Sequence, residues 1–278
     1  MGSERQETLH WAMSSARGAQ YIDWMLSLPA SWRLPWPGLC LVCQKAQWQA
    51  VCAHCLSAFA PPRLRCGRCA LTLEPGRPDC LACEDHPPEF DRAVAAVDYA
   101  SPWRELVARF KFNGDVALAK PLSALMAAQL KSLPRRGRPQ WIVPTPLSRA
   151  RLRERGYNQS WQLASHLSRQ VGIPVLPQAL RRVKDTARMM TLEADDRRQQ
   201  ISGAFEVVKS CRRALAGRHV ALVDDVLTTG ATLDEITRTL QAAGVRQVSV
   251  WVLARTPAPG TSLASRHADC HLQPELRS

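Results

Sequence analysis

The chain has 278 residues, of which 46% are hydrophobic and 22% are charged, so it can bury a core in about two domains of roughly 150 residues each. This composition excludes fibrous, collagen-like and wholly disordered proteins. The net charge is +13, and residues 131–213 contain 18 Lys and Arg against 6 Asp and Glu, which indicates an anionic partner, such as nucleic acid or a phosphorylated small molecule, or a solvated basic face.

The N-terminal segment, residues 1–37, is rich in tryptophan and includes a stretch, residues 19–28, that could form a short amphipathic helix. The segment lacks the apolar run of a secretory signal. Nowhere does the sequence contain the roughly 18 consecutive apolar residues that a membrane-spanning helix needs. We therefore expect a cytoplasmic protein without a membrane span.

Residues 38–88 contain eight of the ten cysteines, arranged as four C-x-x-C pairs. Two such pairs can surround one tetrahedral ion, so the spacing predicts a small module with two zinc ions. Because sulfur would fill every corner, each ion would be structural and leave no position for a substrate. The first pair combines most simply with the second and the third with the fourth, although an interleaved arrangement also fits. The predicted ligands are Cys40, Cys43, Cys52, Cys55, Cys66, Cys69, Cys80 and Cys83.

Between residues 89 and 256, apolar segments typical of strands alternate with segments of helical periodicity. This alternation predicts an α/β domain with a mostly parallel sheet flanked by helices. The last segment, residues 257–278, has the pattern of a loose tail.

The segment HVALVDDVLTTGATLDEI, residues 219–236, has the pattern strand, turn and helix. Its turn, residues 224–232, follows the carboxyl end of a buried strand, which is where open α/β sheets bind ligands. Hydroxyl side chains, a glycine and a helix N-terminus favour phosphate binding. Two adjacent carboxylates before such a turn fit a ribose diol with Mg²⁺ nearby.

The stretch VALVDDVLTTGAT resembles the signature with which type I phosphoribosyltransferases bind phosphoribosyl pyrophosphate (PRPP). The resemblance implies that Asp224 and Asp225 are catalytic and hold the ribose hydroxyls. Hypoxanthine and guanine enzymes carry an Asp where this chain has Thr228, so neither base is implied as the acceptor. The 5-phosphate would be bound by Thr228, Thr229, Gly230, Ala231 and Thr232.

A second stretch, VPTPLSRARLRERGYNQS at residues 143–160, is similar to the signature of the ComF/GntX group, which also has N-terminal cysteine pairs and a K-F-x-G-like segment, here residues 111–114. This group is linked to DNA uptake in natural competence, which implies single-stranded DNA or an uptake helicase as partners. The resemblance implies a pyrophosphate-binding loop of Arg149, Arg151, Arg153 and Arg155, with Tyr157, Asn158 and Gln159 beside it. Asn158 could equally be a helix N-cap.

In an extended loop the four alternate arginines would point to one side and could follow a nucleic-acid backbone. Trp141, Tyr157 and Trp161 would then offer faces on which bases stack.

A third stretch, residues 184–205, matches the group less closely, because Ala187 replaces a Pro and Met189 a Gln in the segment that resembles a substrate-covering hood. Two functions therefore remain open. One is a phosphoribosyltransferase that uses PRPP and Mg²⁺ with an unknown acceptor. The other is a non-catalytic protein that senses PRPP or a nucleotide and binds single-stranded DNA or docks the uptake machinery.

Overall fold

The structure is a computed structural model and describes residues 38–73, 80–131, 134, 137–184 and 201–258. The tryptophan-rich segment, the hood segment from residue 185 to 200, and all but two residues of the predicted tail lie outside the described residues. The chain divides into two compact units, Met1–Cys52 and Ala53–Ser278. The second unit contains the last two cysteine pairs together with the sheet. The domain boundary at residue 88 stays a prediction.

The first unit contains a small hairpin in which β1 (Gly38–Leu39) pairs antiparallel with β2 (Ala46–Gln47). The turn between them is closed by the Cys40 amide, which donates to the Lys45 carbonyl over 2.9 Å, and by Gln44, which adopts a positive φ of 59°. This tight turn brings Cys40 and Cys43 to the same side of the hairpin.

The second unit contains a four-stranded parallel sheet in which the strands lie in the order β3 (Arg92–Asp98), β8 (Gln247–Arg255), β7 (His219–Leu227) and β4 (Trp141–Pro144). Its central strands are almost continuously apolar because both faces are covered, and residues 220–223 are 0% exposed. A separate antiparallel pair is formed by β5 (Leu180–Arg182) and β6 (Phe205–Val207).

Helices cover both faces of this sheet. The described helices are α1 (Ala53–Phe59), α2 (Leu81–Asp85), α3 (Trp103–Phe112), α4 (Ala119–Lys131), α5 (Arg149–Arg155), α6 (Gln159–Val171), α7 (Arg212–Leu215) and α8 (Ala231–Ala242), with short 3-10 turns at Val116–Leu118 and Lys209–Cys211. On one face, α8 and β6 pack against Val220 and Leu222, whereas α4 and α6 pack on the other. This arrangement confirms the predicted parallel sheet flanked by helices. None of the helices in the described part of the chain is long and apolar enough to cross a bilayer.

The arginine-rich segment is helical, so the extended loop in which four arginines would point to one side does not form. Ser148 caps α5 by accepting from the Arg151 amide over 3.3 Å, and Gly156 ends the helix in the left-handed conformation at φ 77°. Leu and Arg are good helix formers, and five of the seven residues between this start and this stop are Leu or Arg. At 3.6 residues per turn the arginines spread over different faces.

Candidate functional site

The eight paired cysteines form two groups, and within each group the sulfur atoms lie within 4.8 Å of one another. The first two pairs make one group and the last two make the other, which confirms the simplest predicted pairing. Sulfur separations of 3.8 Å between Cys43 and Cys52 and 3.6 Å between Cys69 and Cys80 match the edge of a tetrahedron with metal–sulfur bonds of about 2.3 Å. Each group could hold a zinc ion.

Burial changes the acidity of the Cys69 thiol in the second group. It raises the pKa of the Cys69 thiol to about 11, so at neutral pH this thiol ionises only with help from a nearby positive charge. A bound metal ion supplies that charge and deprotonates a coordinating thiol.

An open cleft of about 270 Å³ lies at the carboxyl edge of the sheet, where parallel α/β sheets bind ligands. It brings together residues that are far apart in the chain, and several of them were predicted from the sequence. The lining includes Lys111, Arg151, Arg155, Gln159, Arg182, Asp224, Asp225, Thr228 and Thr232.

The two adjacent carboxylates at the end of β7 have different partners. Asp224 Oδ1 accepts from the Ser160 hydroxyl over 2.8 Å and from the Asp225 amide over 2.9 Å. Asp225 is 2% exposed, and its Oδ1 lies 2.8 Å from Lys111 Nζ. Its Oδ2 is buried and has no hydrogen-bond partner among the described residues. An unpaired buried carboxylate oxygen is costly unless a ligand or ion completes its bonding.

The charges of these groups are coupled. Burial, together with the neighbouring Asp225 charge, raises the pKa of Asp224 to about 6. Burial alone would lower the pKa of Lys111, but the attraction of Asp225 and Asp224 outweighs it, and the pKa of Lys111 is raised. Lys111 therefore stays positively charged on the floor of the cleft.

The turn between β7 and α8 has the features of a phosphate-binding loop. Gly230 has φ +91°, a conformation that side chains disfavour, and a Cβ there would lie 3.6 Å from Asp234 Oδ2. Among the described residues, no side chain caps α8 at Gly230. The amides of the first helical turn are therefore available to an anion.

Only part of the predicted basic loop reaches the cleft. Arg151 and Arg155 line the cleft because residues four apart share one face of α5. Arg149 and Arg153 are not among the residues that line it. Asn158 is the N-cap of α6, accepting from the Ser160 and Trp161 amides over 2.9 and 3.2 Å.

The neighbours of Asn158 differ in role. The Tyr157 hydroxyl donates to the Phe110 carbonyl, and the two rings pack together with centroids 5.8 Å apart. Gln159 lines the cleft, and its buried Oε1 has no partner among the residues described. Tyr157 and Asn158 therefore organise the wall of the cleft, and Gln159 faces its interior.

Sequence reasoning did not single out Lys111 or Ser160 as site residues. Lys111 begins the K-F-x-G-like segment and Ser160 ends the second motif, so both lay within the quoted motifs. Arg182, which lines the cleft from β5, precedes the weakly matching hood segment and carried no signal of its own.

The comparison with known proteins identifies the family. The profile of the phosphoribosyl transferase domain matches residues 158–266, from the N-cap of α6 through the acidic pair and the turn between β7 and α8. Competence protein F of Haemophilus influenzae is 36% identical over 221 residues, which cover 78% of this chain and 90% of that protein. The chain belongs to the ComF family.

Other members of the ComF family are similar over nearly the same span. DNA utilization protein YhgH of Escherichia coli K12 is 33% identical over 227 residues, covering 79% of this chain and 98% of that protein. Competence protein ComFC of Streptococcus pneumoniae is 26% identical over 209 residues, covering 74% and 87%. This ComF protein thus combines a type I phosphoribosyltransferase fold with two four-cysteine groups.

Proposed function

We propose that this ComF-family protein binds PRPP together with Mg²⁺ in the cleft and acts in DNA uptake, as the names of its relatives indicate for them. The observation that carries the proposal is the meeting of three groups in one cleft. The acidic pair Asp224 and Asp225, the loop residues Thr228 and Thr232, and the arginines of α5 all line this cleft.

Each part of PRPP finds complementary chemistry in this arrangement. The 5-phosphate suits the amides at the start of α8 and the hydroxyls of Thr228 and Thr232. The ribose hydroxyls can donate to the carboxylates of Asp224 and Asp225. The pyrophosphate carries negative charge that Arg151 and Arg155 can bind through two parallel hydrogen bonds each.

The acidic pair also suits Mg²⁺, which prefers oxygen ligands and retains part of its water shell. The unpartnered Oδ2 of Asp225 is an acceptor for this ion or for a ribose hydroxyl. Bound there with PRPP, Mg²⁺ would neutralise part of the pyrophosphate charge. Lys111 holds Asp225 in position and balances its charge before the ligand arrives.

The reaction for which this site is suited is displacement of pyrophosphate from the anomeric carbon. The bond from this carbon to the pyrophosphate oxygen breaks, its electron pair leaves with pyrophosphate, and an acceptor forms the new bond. Arg151 and Arg155 would stabilise the departing charge, and Asp224 and Asp225 the cationic ribose.

A second proposed function is binding of single-stranded DNA, and the surface beside the cleft favours it. Phe112 is 68% exposed, and the Arg155 guanidinium lies 5.1 Å from its ring centroid. An exposed ring beside an arginine suits an unpaired base and its phosphate. Two of the three stacking faces predicted from the sequence are less suitable, because Trp141 packs against the core and donates to the Ala214 carbonyl, and Tyr157 is tied to Phe110.

Calorimetric titration of the full chain with PRPP, with and without Mg²⁺, tests the main proposal. We expect Mg²⁺-dependent binding that the double substitution Asp224→Asn and Asp225→Asn abolishes. Glu206→Gln, which removes only a surface partner of Arg181, should bind as the wild type does. Unchanged binding by the double variant would refute the assigned site. Release of pyrophosphate with any of a panel of bases would then separate a transferase from a binding protein.

A further inference from the structure

Arg255 occupies the last position of β8, where three strands end side by side. In the sheet register it lies between Asp98 of β3 and Leu227 of β7. Arg255 is 8% exposed, so its guanidinium is largely shielded from solvent. A buried guanidinium must find acceptors for its fixed fork of donors, because an unpaired buried charge is strongly unfavourable.

The acceptors of Arg255 belong to two functional segments. Its Nε donates to the Cys69 carbonyl over 2.9 Å, within the second cysteine group. Its Nη1 donates to the Leu227 and Thr228 carbonyls over 3.0 and 2.5 Å, at the start of the phosphate-binding loop, and also to the Thr256 carbonyl over 2.9 Å. The planar guanidinium of Arg255 therefore joins the knuckle formed by Cys66 and Cys69 to the phosphate-binding loop.

The knuckle is also fixed to the neighbouring strand. Asp98, at the end of β3, accepts from Arg65 Nη1 over 2.8 Å and pairs with Arg63 Nε at 3.2 Å. The Ala93 amide of the same strand donates to the Gly67 carbonyl over 3.2 Å. These contacts anchor the knuckle to the sheet, so the Cys69 carbonyl belongs to a fixed segment and not to a free loop.

We propose that Arg255 is a positioning residue that couples the second cysteine group to the phosphate-binding loop. A metal ion held by Cys66, Cys69, Cys80 and Cys83 keeps the Cys69 carbonyl in place, Arg255 then holds the Thr228 carbonyl, and the loop is ordered for the 5-phosphate. The inference rests on the proposed binding of PRPP. Since coupling is reciprocal, PRPP must in turn stabilise the metal ion in this group.

The test measures the release of zinc from the zinc-loaded full chain to a coloured chelator, with and without saturating PRPP and Mg²⁺. We expect PRPP to slow release of one of the two ions by roughly fivefold or more, the lower range of measured couplings. Cys43→Ser, which retains the second group, should keep this protection. Cys80→Ser, which retains the first group, should lose it.

Arg255→Lys tests the residue itself. Lysine keeps the charge but is a point donor on a flexible stem, and it cannot join Cys69 to Thr228 as the planar fork does. We expect PRPP to leave zinc release unchanged in this variant. Arg246→Lys, at an exposed arginine just before β8, should retain the protection. If Arg255→Lys does not fold, the comparison of the wild type with and without PRPP still decides whether PRPP binding and zinc release are coupled.

The outcomes separate this inference from the proposed function. Wild-type protein that binds PRPP in calorimetry but releases both ions at unchanged rates would overturn the coupling and leave the proposed function standing. Protection that persists in Arg255→Lys would overturn the role of Arg255. Absence of PRPP binding by the wild type would overturn both.

Discussion

Lys111 Nζ lies 2.8 Å from Asp225 Oδ1, although the two residues come from the end of α3 and the end of β7. The Asp225 side chain is 3% exposed and that of Lys111 is 19% exposed. The pair therefore places a buried carboxylate, neutralised by the Lys111 ammonium group, at the floor of the cleft. Removing one partner of such a pair costs far more than removing a surface ion pair.

Lys111→Met should lower the free energy of unfolding by about 3–5 kcal/mol, because it leaves Asp225 buried without its counter-charge. Urea denaturation measures the change. Arg104→Met, which breaks the exposed pair with Glu105, should cost at most about 1 kcal/mol. Adding Asp225→Asn to Lys111→Met should recover part of the loss, and a double variant less stable than either single one would argue against the pair.

The ionisation of Asp224 predicts a pH dependence of PRPP binding. Its pKa in the folded protein is raised to about 6 from 3.8, so the folded state binds more protons than the unfolded state between these values. This group therefore stabilises the fold less as pH rises through the window. Ionised Asp224 binds a cation better, so PRPP and Mg²⁺ should bind more tightly as pH rises through about 6.

The matched control for this effect is Asp224→Asn, which cannot ionise. Phosphate groups of the ligand also titrate near pH 6, so the informative quantity is the difference between the calorimetric pH profiles of the two proteins. Parallel profiles from about pH 5 to 7 would show that Asp224 does not ionise in this range.

Gly230→Ala should abolish PRPP binding because alanine at φ +91° strains the phosphate-binding loop. The strain costs about 1–2 kcal/mol of stability. Gly172→Ala is the control, since Gly172 has φ +72° at the end of α6 and nothing within 4 Å of a new Cβ. Both variants should unfold at similarly reduced urea concentrations, but only Gly230→Ala should lose binding. Normal affinity of Gly230→Ala would exclude the loop from the ligand site.

The purified chain should contain two zinc ions, as measured by elemental analysis. Cys40→Ser and Cys80→Ser should each remove one, because each group needs four sulfur ligands and structural zinc contributes about 10–16 kcal/mol of apparent binding free energy. Cys211→Ser should retain both, since Cys211 belongs to neither group. Loss of both ions from either single variant would contradict two separate sites.

Phe112→Ala should weaken binding of a single-stranded oligonucleotide by about 1–3 kcal/mol, the contribution of one stacked base. Fluorescence anisotropy at several salt concentrations should also show that affinity falls steeply with salt. Trp48→Ala is the matched control, because Trp48 is an exposed aromatic residue, 65% accessible, in the first unit. If only Trp48→Ala lowered the affinity for the oligonucleotide, the DNA-binding surface would be the cysteine hairpin and not Phe112.

Single-stranded DNA and PRPP should compete if they share Arg155, which lines the cleft and also contacts Phe112. Saturating PRPP and Mg²⁺ should then reduce DNA affinity in the same anisotropy assay. Simultaneous, independent binding of both ligands would place the DNA away from Arg155.

The parts of this protein that the sequence alone determined are those encoded by neighbouring residues. The C-x-x-C spacing predicted the two four-cysteine groups, and an apolar run followed by two acids, hydroxyls and a glycine predicted a strand, a turn and a helix in the correct order. Alternation of strands and helices predicted the parallel sheet. These patterns can be recognised in the sequence because they arise from interactions between residues only a few positions apart.

Only the tertiary structure decided which distant residues complete the site. Lys111 reaches Asp225, and Arg255 reaches Cys69, through contacts that no local spacing records. Alternate arginines would share one side only in an extended loop, whereas Ser148 and Gly156 enclose a helix whose periodicity turns Arg151 and Arg155 toward the cleft. Long-range packing sets these relationships, and a single sequence carries no periodic signal for them.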